Sequence, residues 1–506
     1  MRAAVVGAGH NGLVAAIRLA QAGCDVVVLE AANAPGGGVR TAELTLPGFR
    51  NDTCSGFFPL TAASPAFREL ELEVPWVQPP VPMVHALDGG EEIALHRDLE
   101  ETARSLDVCA TGAGGAWLHL MGALWPHREP LIRATLAPLP SLRAWTVLLG
   151  RLRARAVQLA PLALASSARI GRSLFADERA AAWLAGSGAH ADLSPYAAGS
   201  GVFSLGLNFL AHAVGWPFPR GGAGVLTQAL VQRLEVLGGQ VRCGAAVTEL
   251  TVNGGHITGV RLRGGEWIPA SAVIATPSPA VLRRLLPPDS LPGIVERRLR
   301  RWRYGLGTLK LDYALSAPVP WRSQQARSAG VVHVGGPLQE IAASLEQATR
   351  GHLPERPALV VGQQSLHDTT RAPDGAHTLY VYARVPQRVA LGPDEIAAAV
   401  ERQLERFAPG FRQRVLARAI RSPEEIERQN ASMRGGDLAS GSCQPDQQLV
   451  FRPAPALCRG RTPIAGLYVA GAWVHPGPGV HGVSGRGAAD ALIADMGSPH
   501  PRRLKL

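Results

Sequence analysis

Lysine is almost absent from this chain of 506 residues: of its 51 basic residues, only Lys310 and Lys505 are lysines. Acidic residues number 40, so the net charge is +11. Such a charge is compatible with a nucleic acid, an anionic membrane or a polyanionic cofactor, and it does not choose among them. Because no recognised nucleic-acid module accompanies the arginines, we expect no nucleic-acid partner.

Cysteine is also scarce, and no C-x-x-C pair occurs among Cys24, Cys54, Cys109, Cys243, Cys443 and Cys458. This spacing argues against a zinc ribbon and a redox-active dithiol, so we predict no metal site and reduced, buried cysteines. A secretion signal is not evident, since Met1-Arg2 runs directly into an apolar strand pattern, and we expect a cytoplasmic protein. The hydrophobic fraction of 46% excludes extensive disorder and predicts two or three packed domains.

The first thirty residues follow the order that a bound dinucleotide requires. An apolar strand pattern leads into Gly7-Ala8-Gly9-His10-Asn11-Gly12 and then into a helical pattern. A second strand ends at Glu30, whose carboxylate can accept hydrogen bonds from ribose hydroxyls. The glycines permit a tight turn and close approach of a pyrophosphate to the positive end of the helix. The pattern predicts a dinucleotide-binding βαβ unit; the alternative is a glycine-rich turn without a ligand.

A second glycine-rich stretch follows the acid, Pro35-Gly36-Gly37-Gly38-Val39-Arg40, and Ser55-Gly56 comes soon after it. With these residues the sequence resembles the FAD-dependent superfamily of amine oxidases and carotenoid desaturases. The resemblance implies FAD as the cofactor, with a site completed by Ala31, Gly36, Gly37, Gly38, Arg40, Ser55 and Gly56. No second G-x-G-x-x-G follows a strand, so we expect no stable NAD(P)H site.

Two distant segments extend the resemblance. Residues 240–276 are predicted to form short strands, and the resemblance implies that the Val247 backbone contacts the adenine; a plain β-meander is the alternative. Near the C-terminus, a strand over residues 466–471 leads through a Pro/Gly-rich turn into a helix from about Arg486 to Asp495. In the resembled family the N-terminus of this helix points at the flavin ring. This implies flavin contacts at Gly471, Gly479, Val480 and Gly482, with a structural loop as the alternative.

The residues after Gly471 distinguish the branches of the resembled superfamily. Amine oxidases usually carry an acid just after the corresponding glycine, whereas this chain has Ala472-Trp473 followed by His475-Pro476-Gly477. That turn resembles the phytoene-desaturase-like branch, which includes the group called pyridine nucleotide-disulfide oxidoreductase domain-containing protein 2. The likeness covers essentially the whole chain and is strongest at both ends.

Lys310 and His475 are the candidate catalytic residues. Alternation along residues 306–313 predicts a strand with Lys310 and Asp312 on one face. Some flavin oxidases of the resembled superfamily hold a water near flavin N5 with such a lysine; the alternative is a surface ion pair with Asp312. The motif places His475 near the predicted flavin, although histidines in such turns often only hydrogen-bond the backbone.

We predict an α/β fold in which a Rossmann-type FAD-binding domain, with a parallel sheet and helices, carries an inserted α+β substrate domain. The predicted FAD-binding segments are 1–74, 216–284 and 451–497, the substrate or lid segments are 75–215 and 285–450, and 498–506 is a tail. His212 and Trp216 would line a hydrophobic pocket, unless His212 is a core residue. The basic and apolar region 128–173 would form a solvated lid or make peripheral contact with an anionic membrane.

These features predict a FAD-dependent oxidoreductase. The resemblance implies desaturation of a hydrophobic, isoprenoid-like or lipid-like small molecule by hydride transfer to flavin N5. One alternative is an amine oxidase in which Lys310 assists flavin reoxidation. Another is a FAD-binding scaffold or regulator without turnover. The sequence leaves the substrate, the electron acceptor and the oligomeric state open.

Overall fold

Two sheets of different character organise the residues that the computed structural model describes, which are 1–139, 141–389 and 392–497. The predicted tail at 498–506 lies outside the described residues. The strands are β1 (Arg2–Val6), β2 (Asp25–Leu29), β3 (Thr41–Glu43), β4 (Arg50–Asp52), β5 (Trp76–Val77), β6 (Val81–Ala86), β7 (Glu92–Leu95), β8 (Phe218–Pro219), β9 (Gln240–Arg242), β10 (Val247–Asn253), β11 (His256–Leu262), β12 (Trp267–Pro269), β13 (Ala272–Ala275), β14 (Gly307–Leu315), β15 (Ala329–Val334), β16 (Leu359–Gly362), β17 (His377–Val385), β18 (Val415–Arg421) and β19 (Leu467–Val469).

The α-helices connect and cover these strands. They are α1 (His10–Gln21), α2 (Pro59–Ala63), α3 (Pro65–Arg68), α4 (Leu99–Cys109), α5 (Ala113–Leu124), α6 (Arg128–Thr135), α7 (Leu142–Leu152), α8 (Arg155–Leu159), α9 (Ser167–Phe175), α10 (Glu178–Gly188), α11 (Ser200–Val214), α12 (Ala223–Val236), α13 (Pro279–Leu285), α14 (Gly293–Arg300), α15 (Leu338–Thr349), α16 (Pro393–Phe407), α17 (Pro423–Gln429) and α18 (Val483–Met496). None of the helices in the described ranges is both long and apolar enough to cross a bilayer.

The first sheet is parallel throughout, with the strand order β19-β13-β1-β2-β9. Its strands are apolar on both faces because both faces are covered. Ala3 and Val5 of β1 pack with α1, α12 and α18, whereas Ala4 and Val6 face the antiparallel sheet β10-β11-β12 and helix α13. The result is a three-layer unit assembled from the two ends and the middle of the chain.

The second sheet is mixed, with the order β18-β14-β17-β16-β15-β6-β7, and only β15 and β6 pair in parallel. One face packs against α16 through Leu309, Leu311 and Val381. The other face carries Tyr380 and Tyr382 toward α5, α10 and α11. Period-two alternation therefore divides β14 and β17 between a core face and a face directed at the helices.

The predicted fold class, an α/β Rossmann-type domain with an inserted α+β domain, is confirmed by this architecture. The strands of the parallel sheet fall inside the three segments predicted for the nucleotide domain, and the domain boundaries themselves remain predictions. The start predicted for the last helix was wrong, since Gly482, at φ +67°, begins it at Val483, three residues before the predicted Arg486.

The six cysteines are all free thiols. Four are buried as expected, but Cys243 is exposed and Cys54 is half-buried. Cys243 follows the edge strand β9, where no further strand covers it. Within the described ranges, no group of three or more His, Cys, Asp or Glu side chains is placed to hold a metal ion.

The basic region 128–173 forms helices α6 to α9 rather than one amphipathic rod. Val147, Leu149, Val157 and Leu164 are exposed on this region. The solvated lid and the peripheral membrane contact both remain predictions for it.

Candidate functional site

A continuous cavity of about 780 Å³ runs from the carboxyl ends of the parallel strands to the helix-facing side of the mixed sheet. Strands β1, β2, β13 and β19 each deliver a turn to its wall, beginning at Gly7, Glu30, Thr276 and Gly471. The carboxyl edge of an open parallel sheet is the usual location of a ligand site. The volume lies within the range of pockets for cofactors and small molecules.

The glycine turn after β1 forms one end of the cavity. Gly7 has φ +99°, and a Cβ on Gly12 would lie 2.0 Å from the Gly7 carbonyl oxygen, so both positions need glycine for the fold itself. Gly9 differs, because a Cβ there would meet no protein atom within 4 Å. Helix α1 starts immediately after Gly9 with no side-chain cap and no acid in its first turn. Its first amides therefore remain available to an anionic ligand.

Glu30 lies at the same edge and borders the cavity together with Ala31. Its two carboxylate oxygens accept backbone N–H groups from Ala8 at 2.7 Å and Ala32 at 2.9 Å. A carboxylate can accept about four hydrogen bonds, so these contacts orient the group and leave capacity for hydroxyl donors.

The second glycine stretch packs directly on the first. The Gly36 amide donates to the Ala8 carbonyl at 2.8 Å, and a Cβ on Gly37 would stand 3.2 Å from the Gly9 Cα. Arg40 follows and lines the cavity, where its buried Nε has no hydrogen-bond partner. An unpaired guanidinium beside two glycine turns and a free helix N-terminus fits the phosphates of a dinucleotide.

The C-terminal turn is tied to the first turn by a short network. Ser484 Oγ accepts the Gly471 amide at 3.1 Å and donates to Asn11 Oδ1 at 3.0 Å. Helices α1 and α18 cross closely, since a Cβ on Gly485 would lie 1.9 Å from the Asn11 carbonyl oxygen. The glycine turn before α1 and the turn before α18 are thereby held together and form one wall of the cavity.

Most of the predicted cofactor residues come together in this wall. Those that line the cavity are Gly7, Gly9, His10, Asn11, Gly12, Glu30, Ala31, Gly37, Gly38, Arg40, Ser55, Gly56, Val247, Gly471, Gly479 and Val480. Ala8, Gly36 and Gly482 do not line it and instead support the turns behind it. Burial lowers the pKa of His10 to about 3, so its ring is neutral.

Lys310 does not line the main cavity and borders an adjoining pocket of about 20 Å³. The expected surface pair with Asp312 was wrong in its location: Nζ lies 2.5 Å from the carboxylate, but both side chains are buried. Burial on β14, the second strand of the seven-stranded sheet, lowers the pKa of Lys310 to about 8. Its ammonium lies 3.7 Å from the ring centroid of Tyr380, which does line the cavity. A catalytic role for Lys310 remains a prediction; its pocket shares Gly37, Arg40 and Cys54 with the lining of the main cavity.

His475 is buried outside the cavity lining. Burial lowers its pKa to about 4, and within the described ranges its Nδ1 has no hydrogen-bond partner. Its backbone N–H donates to the Arg452 carbonyl at 3.3 Å. A direct contact of His475 with a substrate is not supported by this position, and its catalytic role stays a prediction.

The opposite end of the cavity is built from side chains that the sequence did not single out. Tyr382 and Arg384 come from β17, and His190 and Asp192 come from the loop after α10. His190 Nδ1 lies 2.9 Å from the Tyr382 hydroxyl. The period-two spacing of Tyr380, Tyr382 and Arg384 in the sequence indicates that they share one face of a strand. It does not indicate which face of the strand lines a cavity.

Apolar side chains fill the wall between the two ends, namely Phe57, Phe203, Leu207, Trp216, Val331 and Val360. Trp216 lines the cavity, whereas His212 is a core residue that accepts a hydrogen bond from Trp117 Nε1 at 3.1 Å. These side chains and the glycine-built end line the same cavity.

Comparison with known proteins connects this geometry to a family. The family model described as flavin containing amine oxidoreductase matches residues 137–493, and a model of an NAD(P)-binding Rossmann-like domain matches residues 5–70. The chain belongs to the flavin containing amine oxidoreductase family. The predicted resemblance to this superfamily is thereby confirmed, and the protein is a flavin-dependent oxidoreductase.

Relatives of this family member cover nearly the whole chain. The pyridine nucleotide-disulfide oxidoreductase domain-containing protein 2 of Rattus norvegicus is 29% identical over 98% of this chain and 93% of its own length. Hydroxyneurosporene desaturase of Cereibacter sphaeroides is 28% identical over 98% of each chain. The solved structure of an oxidoreductase from Methanosarcina mazei has a TM-score of 0.64 at 17% identity and covers 98% of this chain and 100% of its own; it supports the fold alone.

The family's flavin has a suitable place in the cavity. The open space at Gly9, the uncapped N-terminus of α1 and the side chain of Arg40 form a cradle for phosphates. The residues therefore fit a flavin nucleotide, with the phosphates at the glycine-built end.

Proposed function

We propose that this oxidoreductase binds FAD and dehydrogenates a carbon–carbon bond of a largely apolar molecule. The observation that carries the proposal is the continuity of the cavity, which joins the glycine-built end to a compartment lined by Trp216, Phe203 and Leu207. The similarity to a desaturase along the whole chain supports the same reaction class.

FAD rather than a shorter flavin is supported by the length of the glycine-built end. Glu30 and Val247 line the cavity beyond the turn that would hold the phosphates. A carboxylate at this position suits ribose hydroxyls, which an adenosine moiety provides. Bound FAD would supply the acceptor for two electrons from the substrate.

The protein's own part in this reaction is binding and orientation. Tyr380 donates its hydroxyl to the Cys54 carbonyl at 2.5 Å and so fixes the strand of chain that leads to Ser55 and Gly56. The apolar wall excludes water from the space between the flavin site and the mixed sheet, which favours hydride transfer over side reactions.

The test is the visible spectrum of the purified protein, followed by anaerobic bleaching with a panel of substrates. We expect a flavin spectrum whose extracted cofactor is FAD, and bleaching by apolar alkenes or acyl lipids. FAD bleached only by amines would replace the proposal by amine oxidation. FAD that no compound reduces would favour a scaffold, and absence of any flavin after supplementation would contradict the proposal altogether.

A further inference from the structure

The side-chain-built end of the cavity contains an arginine without an ionic partner. Along β17, Leu379, Val381 and Ala383 face the α16 core, and the alternate residues Tyr380, Tyr382 and Arg384 line the cavity. Arg384 is only 8% exposed, so its guanidinium is held away from bulk water. A buried charge of this kind needs hydrogen bonds and a counter-charge to be tolerated.

The protein satisfies Arg384 incompletely. Nη1 donates to Thr308 Oγ1 at 2.9 Å and Nη2 donates to the His190 carbonyl, while the buried Nε has no partner. In the described residues, no carboxylate lies within 4.0 Å of the Arg384 guanidinium. Arginine has five N–H donors, so three of them and the charge have no protein partner in the described residues. The Nε atom is itself shielded from the cavity, so a ligand there would meet the remaining N–H groups of Nη1 and Nη2.

The other three buried arginines have more complete ion-pair or hydrogen-bond partners than Arg384. Arg371 lies 3.0 Å from both the Asp52 and the Asp368 carboxylates. Arg421 lies 3.4 Å from Asp312. Arg452 has no carboxylate partner but donates to several backbone carbonyls, including Ala472 and Ser442 at 2.9 and 3.1 Å. Of these four buried arginines only Arg384 lines the main cavity.

Two acids share the cavity wall with Arg384, and the backbone already holds both. Asp437 accepts amides from Gly305, Ala439 and Gly441 at 2.7–2.8 Å. Burial, followed by the charge of Asp192, raises the pKa of Asp437. Asp192 accepts the Cys443 amide at 2.8 Å. Neither carboxylate lies within ion-pair distance of Arg384, and the charge of Arg384 reaches Asp437 only as a smaller effect that lowers its pKa.

We propose that Arg384 binds a carboxylate at one end of the substrate, so that the substrate is an amphipathic acid with a long apolar part. This inference rests on the proposed function and narrows its substrate class. Tyr382, whose ring centroid lies 5.6 Å from the guanidinium carbon, and the neutral ring of His190 border the same group. The apolar wall at Trp216 and Val331 then receives the rest of the molecule, next to the flavin site.

The first test compares matched ligands on the wild-type, oxidised holoprotein. Farnesoic acid, its methyl ester and farnesene are titrated while the visible band of the bound flavin is followed. Because a hydrogen bond to a charged group contributes about 1.5–3 kcal/mol, we expect the acid to bind at least about tenfold more tightly than the ester. Equal affinity of acid and ester in the wild-type protein overturns the inference without any variant.

The second test removes the guanidinium. Arg384→Gln is expected to reduce the ratio of the acid's affinity to the ester's affinity to about one. Arg384→Lys should retain part of the preference for the acid, because the positive charge remains. Arg350→Gln, which removes an exposed arginine directly after α15, is the charge-matched control and should keep the wild-type ratio. If Arg384→Gln folds but loses its flavin, the guanidinium serves the cofactor instead, and the inference is wrong.

The binding and turnover measurements separate this inference from the proposed function. Binding of the acid in preference to the ester, without bleaching of the flavin by either, contradicts dehydrogenation and leaves the carboxylate site standing. Bleaching by farnesene as efficiently as by the acid supports dehydrogenation and contradicts the carboxylate site.

Discussion

The two ends of the cavity are built by different means. The end near β1 consists of backbone: glycine turns, helix amides and one acid that follows its strand directly. The end near β17 consists of side chains from separate parts of the chain, with His190 and Tyr382 meeting across 192 residues. Each end also holds an arginine with a free buried Nε, Arg40 at the first and Arg384 at the second. A backbone site recognises what all members of a cofactor class share, whereas a side-chain site can change with the substrate.

The largest effect is expected at the glycine-built end, where one glycine is needed for folding and another for flavin binding. Gly12→Ala places a Cβ 2.0 Å from the Gly7 carbonyl, so we expect unstable protein with less than about one-tenth of the wild-type flavin. Gly9→Ala meets no protein atom, and Gly9 has φ −71°, so we expect a folded apoprotein with weakened flavin binding. Extracted flavin per mole and the apoprotein melting temperature are the measurements.

The control for this pair is Gly122→Ala in α5, where a Cβ also meets nothing within 4 Å. Alanine at this position should stabilise the helix by about 0.5–1 kcal/mol and leave the flavin content unchanged. Normal flavin binding by both Gly9→Ala and Gly12→Ala would contradict the backbone site.

Acidification should destabilise the protein around both ends of the cavity over the same pH range. Burial lowers the pKa values of four histidines to about 4, namely His475 and His481 near the glycine-built end and His85 and His212 near the other. Their unfolded value is about 6.5, so between about pH 6.5 and 4 the unfolded chain binds more protons than the folded protein. The free energy of unfolding therefore decreases as the pH decreases, by about 1.4 kcal/mol per pH unit for each histidine.

Flavin fluorescence reports the first end, and tryptophan fluorescence reports the packing around all ten tryptophans, among them Trp117, which donates to His212. We expect both signals to change together as the pH falls below about 6.5, with little change from this source between pH 7 and 9. Identical melting temperatures at pH 7.5 and 4.5 would show that the histidines become protonated without cost.

A smaller effect distinguishes the paired from the unpaired arginine. Arg371→Gln leaves the carboxylates of Asp52 and Asp368 buried without their cation, and we expect a loss of about 3–5 kcal/mol in the free energy of unfolding. Arg384→Gln leaves no buried carboxylate unpaired at ion-pair distance, so its loss should be clearly smaller. Thermal unfolding of the two variants side by side tests this, and a larger loss for Arg384→Gln would contradict the assignment of Arg384 to a ligand.

The smallest effect concerns Lys310, which the sequence suggested as a catalytic residue. General acid–base groups contribute about 10²–10⁴-fold to rates. Because Lys310 borders the small adjoining pocket and not the main cavity, we expect Lys310→Met to slow flavin reduction and reoxidation by less than about tenfold. The rates are compared for folded protein, because the substitution leaves the buried Asp312 with Arg421 at 3.4 Å as its remaining cation and lowers stability. Stopped-flow absorbance gives both rates, and a hundredfold loss in either one would restore the direct catalytic role.

The parts that could be predicted from the sequence share a local physical cause. A glycine turn between an apolar strand and a helix constrains its own backbone. Gly7, Gly9 and Gly12 therefore predict the site from local sequence, independently of any distant residue. The same logic identified the turn at Gly471. The start of α18 escaped prediction, because the αL conformation of Gly482 moves it to Val483.

The sequence by itself determined the fold class, the glycine-built end and the alternation of β14. Only the tertiary structure decided that Lys310 and Asp312 are buried together, that His475 lies behind the wall, and that Arg384 reaches the cavity. The physical reason is that period two fixes which residues share a face, while the packing of the mixed sheet against α10 and α11 decides what that face meets.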